Sequence, residues 1–266
     1  MSTIVVLVKN VPGTWSEKTL EPDYTLAREG VDEEIDEINE FAVEQALKLK
    51  EAHPDREFRV LALSAGPERA EDALRKALAM GADEAVLLSD VGLEGSDLLG
   101  TTWALHNAIE AAAGGDEVAL VVAGNASSDG AMGALPGVLA EYRQVPALTQ
   151  VKELALDGQT VTATREAQEG TYQLQAQLPA IVSVTEWADK PRFPNFKGLM
   201  AAKKAEIRHL TLAEIGVAPE QVGLGHAATA VTAAETHPER TAGTVIRDHG
   251  EAGREVAEFL AAKGLI

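Results

Sequence analysis

Four short, unbroken apolar runs constrain this chain more than any other feature: Ile4–Val8, Val60–Leu63, Ala85–Leu88 and Ala119–Ala123. Each is rich in Val, Leu or Ile and is bounded by turn or polar residues. An apolar run of this length without polar alternation suits a strand buried on both faces, as in a parallel sheet covered by helices. The intervals supply the helices. Ala70, Ala73, Leu74, Ala77 and Leu78 recur at helical spacing, and Gly81 closes that segment. Phe41–Leu49 is a second amphipathic stretch, with Asp36 or Asn39 as its cap. Ser96 or Asp97 caps a third that runs through Ala111, and a fourth follows the loop Gly124–Gly133. Strand–helix alternation over residues 1–145 predicts an α/β fold with a doubly wound, mostly parallel sheet and right-handed crossovers.

After Pro146 the texture changes. Val151–Leu156, Thr160–Arg165 and Tyr172–Gln177 read as strands, and Asp157-Gly158 between the first two is a hairpin signal. Pro179–Val184 reads as a further buried strand, a candidate to rejoin the main sheet. Residues 190–208 hold Lys190, Arg192, Lys197, Lys203, Lys204 and Arg208 against the single acid Glu206. Residues 217–250 show little periodicity, as expected of an arm that needs a partner surface, and Glu251–Lys263 reads as a terminal helix. The predicted organisation is therefore an α/β domain over 1–189 with a β-hairpin insertion at 151–177, a loop over 190–208, and an extended C-terminal arm with its helix over 209–266.

Composition removes several classes of function. The chain has 23 Lys and Arg against 42 Asp and Glu, a net charge of −19. Such an acidic surface disfavours nucleic acid and anionic membranes. Without cysteine there are no disulfides, thiolate zinc sites, iron–sulfur ligands or Cys nucleophiles. No apolar run reaches the roughly 18 residues of a membrane helix, and the start Met1–Val8 lacks the basic region of a secretory leader. A cytoplasmic protein is expected. The P-loop, the dinucleotide G-x-G-x-x-G, G-x-S-x-G and H-E-x-x-H are all missing, and the six His residues are scattered. No catalytic constellation or metal site is expected.

The most informative loop is Gly124-Asn125-Ala126-Ser127-Ser128-Asp129-Gly130-Ala131-Met132-Gly133-Ala134. It leaves the C-terminal end of an apolar strand and enters a helix, which is where open α/β sheets bind ligands. Backbone N–H groups and the helix dipole attract phosphate there. Ser127 and Ser128 add hydroxyls, and Asp129 either fixes the turn or takes a ribose hydroxyl. No Lys or Arg lies between Gly124 and Leu139, so the loop is suited to holding a phosphate and ill equipped to transfer one. It fits a plain strand–helix turn with an Asp cap equally well. Lys9–Trp15 and Ser64–Pro67 leave strand ends on the same predicted edge, so three loops can converge on one ligand.

In order and spacing these segments resemble the β subunit of electron transfer flavoproteins, in the form found in high-GC Gram-positive bacteria. The opening Ile4–Glu17, Ile38–Leu47, Arg75–Asp83, the Gly124–Gly133 loop, Arg165–Ile181, Pro191–Lys204 and the turn Arg240–Gly243 carry the resemblance. It implies a heterodimer with an α subunit, an FAD held mainly by α, and a structural AMP in β. It also implies electron acceptance from acyl-CoA and related dehydrogenases, delivery to a membrane-bound quinone oxidoreductase, and no catalytic residue in β. Mapped onto this chain, the AMP site comprises Leu7, Val8, Lys9, Asp36, Asn39, Ala65, Gly66, Gly124, Asn125, Ala126, Ser127, Ser128, Asp129, Gly130, Met132, Gly133 and Ala134. Thr14 or Trp15 falls in the region that approaches the flavin. The partner-recognition loop maps onto Arg192, Phe193, Phe196, Lys197 and Met200, with Phe196 as an apolar anchor in a charged rim. Two further readings are an electron-bifurcating relative with a second FAD in place of AMP, and a stand-alone adenine-nucleotide-binding regulator.

Overall fold

The computed structural model describes residues 2–238 and 243–266; the Arg240–Gly243 turn lies outside them except for Gly243. The chain forms two compact units, Met1–Thr232 and Ala233–Ile266. In chain order the first holds β1 (Ser2–Leu7), β2 (Asn10–Pro12), β3 (Glu33–Ile35), α1 (Glu37–Ala52), β4 (Phe58–Ala65), α2 (Glu71–Met80), β5 (Glu84–Leu88), α3 (Leu98–Ala113), β6 (Glu117–Gly124) and α4 (Leu135–Arg143). It continues with β7 (Ala147–Val151), β8 (Glu153–Asp157), β9 (Thr160–Ala167), β10 (Gly170–Gln177), β11 (Ala180–Val184), α5 (Phe196–Lys204) and β12 (Arg208–Leu210). The second unit carries α6 (Ala252–Ala262).

Seven strands form one sheet in the order β12-β5-β4-β1-β6-β11-β7, and every pair in it is parallel. The unbroken apolar runs follow from burial on both faces. Ile4, Val6, Val60, Ala62, Leu120 and Val122 point into a core shared with α1 and α2. Their neighbours Val5, Leu7, Leu61, Leu63 and Val121 point into a second core with α3 and α4. Each such side chain contributes about 1.5–3 kcal/mol of burial. The chain winds outward from β1 through β4 to β5, then crosses to β6 on the other side. The order therefore reverses between β1 and β6, and ligands of open α/β sheets bind at that crevice.

Three expectations are corrected. The strand expected over Val151–Leu156 is two strands. Gln150 takes a left-handed backbone (φ 56°), its N–H leaves the ladder for the Ser183 hydroxyl, and the register against β11 shifts between Val182 and Val184. The chain thus leaves the main sheet at Val151 and enters the separate antiparallel sheet β10-β9-β8, whose β8–β9 hairpin turns at Asp157-Gly158. Residues 190–208 are not loop throughout. Asn195 accepts a hydrogen bond from the Gly198 N–H and so caps α5. A Cβ on Gly198 would collide with the Ala79 carbonyl, so glycine is what lets α5 lie directly on the end of α2. Finally, the chain does not leave the fold at 209. β12 pairs with β5, and Leu210, Leu212, Ile215, Val217 and Val222 enter the core on the α3 side. Their spacing matches neither strand nor helix, which hid them from periodicity.

Candidate functional site

Because β4, β1 and β6 are neighbours, the three loops after them leave one edge of the sheet side by side, and those after β1 and β6 touch through Lys9 and Asp129. Leu7 and Val8 are buried, and Val8 N–H donates to the Leu63 carbonyl. The Lys9 N–H donates to Asn39 Oδ1 at 2.8 Å, and the Lys9 carbonyl accepts from the Asp36 N–H at 2.9 Å. The segment before α1 is thereby sewn to the end of β1. Asp36 occupies the N-cap position but makes no capping bond with its side chain. Its carboxylate instead accepts from the Ser128 N–H at 2.7 Å, pinning the 124–134 loop. A Cβ on Gly124 would lie 2.6 Å from Ile38 Cγ2; glycine lets β6 pass this close to α1. At the far end of the loop Ala131 (φ 50°) and Gly133 (φ 63°) are left-handed. Among the described residues, the N–H groups of Met132, Gly133 and Ala134 have no protein acceptor. They stand free at the start of α4, the arrangement that receives an anion.

Asp129 is the electrostatic centre. Its side chain is 1% exposed, and Lys9 Nζ lies 2.7 Å from Oδ1 while the Arg28 guanidinium binds Oδ2. Arg28 also reaches Glu33 at 3.3 Å, and Glu33, itself 7% exposed, takes Arg69 at 2.6 Å. Burial by itself would push the Asp129 carboxyl up, but the charge of Lys9 and hydrogen bonds from Lys9, Arg28 and Ser127 hold it far below the usual carboxylate range. The absence of cations within the loop sequence is thus made good by the fold, which imports Lys9 and Arg28. Sequence reasoning had no signal for Arg28, which lies 101 positions from Asp129 in a segment without periodicity.

Asp36 behaves in the opposite way. Burial raises its carboxyl above the ordinary value, the Ser128 N–H opposes this, and the charge of Asp129 raises it further. A carboxyl whose folded value is raised favours the folded state most when protonated. Its destabilising contribution grows as pH rises through the folded value and is complete above it. We expect Asp36→Asn, whose carbonyl still accepts from Ser128, to raise the unfolding temperature at pH 7 and to lose that advantage near pH 3.5. A thermal-unfolding series against pH checks this; an advantage that persists at low pH would refute the charge argument.

The second candidate surface is the start of α5. Phe193 is 94% exposed and Phe196 78%, with Leu199 and Met200 partly exposed beside them. Phe193 and Phe196 are thus not core residues. Lys190, Lys197, Lys203 and Lys204 belong to the same segment and are exposed. Arg192 does not join them: it turns inward onto Glu44 at 2.7 Å and Glu51 at 2.5 Å. Trp15 is 98% exposed, and the Thr14 N–H donates to Glu34 Oε1 at 3.0 Å. Both lie on the 13–32 excursion rather than in the contacts of the 124–134 loop. A cleft of about 1150 Å³ adjoins the site at Ala65 and Gly66, bounded by residues 23–29, 89–96 and 219–226.

Comparison with known proteins decides the family. The electron transfer flavoprotein domain matches residues 23–215. The electron transfer flavoprotein subunits β of Mycobacterium tuberculosis and Mycobacterium leprae are each 49% identical over 269 residues, covering 100% of both chains. The chain belongs to the electron transfer flavoprotein family.

It is similar from end to end to β subunits, and a β subunit implies an α subunit as partner. Its relatives are named electron transfer flavoprotein subunits, which are electron carriers rather than enzymes with catalytic residues. One relative, at 31% identity over 98% of this chain and 97% of its own, is the caffeyl-CoA reductase–Etf complex subunit CarD of Acetobacterium woodii. In this electron transfer flavoprotein subunit no described helix is long and apolar enough to cross a membrane.

Proposed function

We propose that this β subunit binds one AMP as a structural nucleotide at the β1–β6 crevice, helps hold the FAD of its α subunit, and docks acyl-CoA-type dehydrogenases. The observation that carries the nucleotide reading is the free N–H run of Met132, Gly133 and Ala134 beside a buried carboxylate already neutralised by Lys9 and Arg28. A phosphate entering there meets donors and a helix N-terminus, and Asp129 does not repel it unscreened. Leu7, Val8, Ala65 and Gly66 supply the apolar and backbone wall, and Asp36, Asn39, Asn125, Ala126, Ser127, Ser128 and Gly130 shape the loop. Nothing in the set is a nucleophile with a base beside it, which suits a nucleotide that is held and not turned over.

The α5 surface supports the docking role. Apolar side chains this exposed, in a segment rich in exposed lysines on an acidic protein, offer an apolar centre with cationic neighbours. An acidic dehydrogenase surface fits it, and the lysines govern encounter more than grip. Thr14 and Trp15 approach the flavin in this reading, and the electrons continue to a membrane-bound quinone oxidoreductase. β10 adds support for a permanent α partner: from Thr171 to Leu178 this edge strand carries no charge, and such an edge is ordinarily covered.

The 1150 Å³ cleft favours a second reading, FAD in place of AMP, because a mononucleotide does not need that volume. Its lining weighs against a dinucleotide: Asp23, Glu29, Glu68, Asp90 and Glu94 outnumber Arg28, Arg69 and His226. The test is to purify the heterodimer, denature it, and identify the released nucleotides by mass and stoichiometry. One FAD and one AMP are expected. Two FAD and no AMP would establish the bifurcating reading, and an α-free chain that exchanges ATP would establish the regulator.

A further inference from the structure

Between β2 and β3 the chain makes an excursion that no core holds. No residue from 13 to 32 is buried. Its internal ties are local turns and a short ladder: Gly13 N–H and Ser16 Oγ to the Asp32 carbonyl, Ser16 N–H and Lys18 Nζ to the Gly13 carbonyl, Tyr24 N–H to the Glu21 carbonyl, Thr25 to Asp23, Glu21 N–H to the Thr25 carbonyl, Ala27 N–H to the Thr19 carbonyl, and the Leu20–Leu26 bridge. Yet one side chain in it reaches two buried acids at once. The Arg28 guanidinium binds Asp129 of the 124–134 loop with one Nη and Glu33 of β3 with the other. Each of those acids holds a second cation, Lys9 on Asp129 and Arg69 on Glu33. Lys9–Asp129–Arg28–Glu33–Arg69 is therefore one alternating chain of charge that runs from the end of β1 through the 124–134 loop and β3 to the turn before α2. A planar guanidinium is the side chain that can serve two carboxylates in fixed directions.

We infer that Arg28 is a latch that couples the nucleotide site to the 13–32 excursion and hence to Trp15. The inference rests on the nucleotide reading above. A phosphate on the free N–H groups of Met132–Ala134 adds negative charge beside Asp129 and tightens the hold on Lys9 and Arg28. Occupancy of the site then stiffens an excursion whose other tie to β3 is the Thr14 N–H on Glu34, and fixes the exposed Trp15 where the α subunit's flavin lies. Arg28 is a positioning residue in this scheme: it acts through Asp129, not on the nucleotide.

The test uses the heterodimer stripped of nucleotide and then saturated with AMP, and reads hydrogen exchange at the amides of Gly13, Glu21 and Ala27. In the wild type, AMP is expected to slow exchange there by about tenfold. In Arg28→Gln the excursion exchanges fast in both states, while amides of β1 and β6 are unaffected, which general destabilisation would not produce. Linkage is reciprocal, so AMP affinity falls in Arg28→Gln by the same factor that AMP no longer exerts on the excursion. Arg28→Lys does not restore the effect, because a single ammonium does not hold both acids in these directions. The latch is overturned if AMP slows the excursion in Arg28→Gln as it does in the wild type, or if bound AMP leaves the wild-type excursion unchanged. Failure of the wild type to take up AMP at all is a different outcome: it removes the nucleotide reading, and with it the ligand that works the latch.

Discussion

Replacing Arg192 with methionine is expected to destabilise the protein by about 3 kcal/mol, most of it from Glu44. The Glu44 side chain is 5% exposed and accepts three hydrogen bonds from Arg192: two from Nε and Nη2, at 2.7 and 3.1 Å, and one from the backbone N–H at 3.0 Å. Methionine fills similar volume and keeps the backbone donor, but it leaves a buried carboxylate without its cation. Removing one partner of such a pair costs about 3–5 kcal/mol. The lower end applies here because Arg192 is itself 32% exposed and water reaches the site. Glu51 contributes little: it is 58% exposed, and pairs of that kind are worth about 1 kcal/mol at most. The hydrogen bonds and charge of Arg192 hold the Glu51 carboxyl below its ordinary range, yet solvent screens that interaction. Thermal unfolding of the heterodimer should show a drop of roughly 6–12 °C. Arg192→Lys should recover little, since the ammonium cannot reproduce the paired geometry. Glu44→Gln combined with Arg192→Met should lose less than the single change, because no buried charge remains. A loss below about 1 kcal/mol in Arg192→Met would show that Glu44 is not held by this pair.

That staple marks where sequence and structure part. Arg192 stood in the sequence as one cation among six in a basic stretch, indistinguishable from Lys190 or Lys197, and only α1, 148 positions away, shows that it faces inward. Arg28 is the same case: long-range ion pairs leave no periodic trace. Local order was more legible. The two-sided burial of β1, β4, β5 and β6 is written in their unbroken apolar runs, and the Asp157-Gly158 turn gives its hairpin directly. Short elements were not legible. α5 is nine residues long, contains Gly198 and follows Pro191 and Pro194, so propensity argues against a helix that packing on α2 nevertheless secures. β12 has three residues, of which only Leu210 is buried, too few to show a period. The placement of the three loops on one edge was legible because parallel strands bring their C-terminal ends to the same side of a sheet. The charge balance around the 124–134 loop was not, because two of its cations come from outside the loop.

Phe196→Ala is the change expected to separate docking from stability most cleanly. The side chain is 78% exposed, so truncation removes almost no buried area and stability should stay within about 0.5 kcal/mol. Flavin content and nucleotide content should be unchanged. The effect should fall on electron uptake instead. An aromatic anchor at the centre of an interface is worth about 2 kcal/mol or more when truncated, equivalent to roughly a 30-fold loss of affinity. Flavin reduction by an acyl-CoA dehydrogenase should therefore slow by about that factor at low heterodimer concentration and recover as the concentration rises, a KM effect rather than a kcat effect. Substituting Lys197 and Lys203 by glutamine should do something different: it should lower the encounter rate and flatten its dependence on salt, with little change in dissociation. The rigid placement of the anchor is part of the prediction, since Arg192 ties the segment before α5 to α1 and Gly198 seats α5 on α2. Undiminished reduction rates in both Phe196→Ala and Phe193→Ala at low heterodimer concentration would dismiss this surface as the docking site. A loss in Phe193→Ala alone would move the anchor three residues towards the N-terminus and leave the docking surface in place.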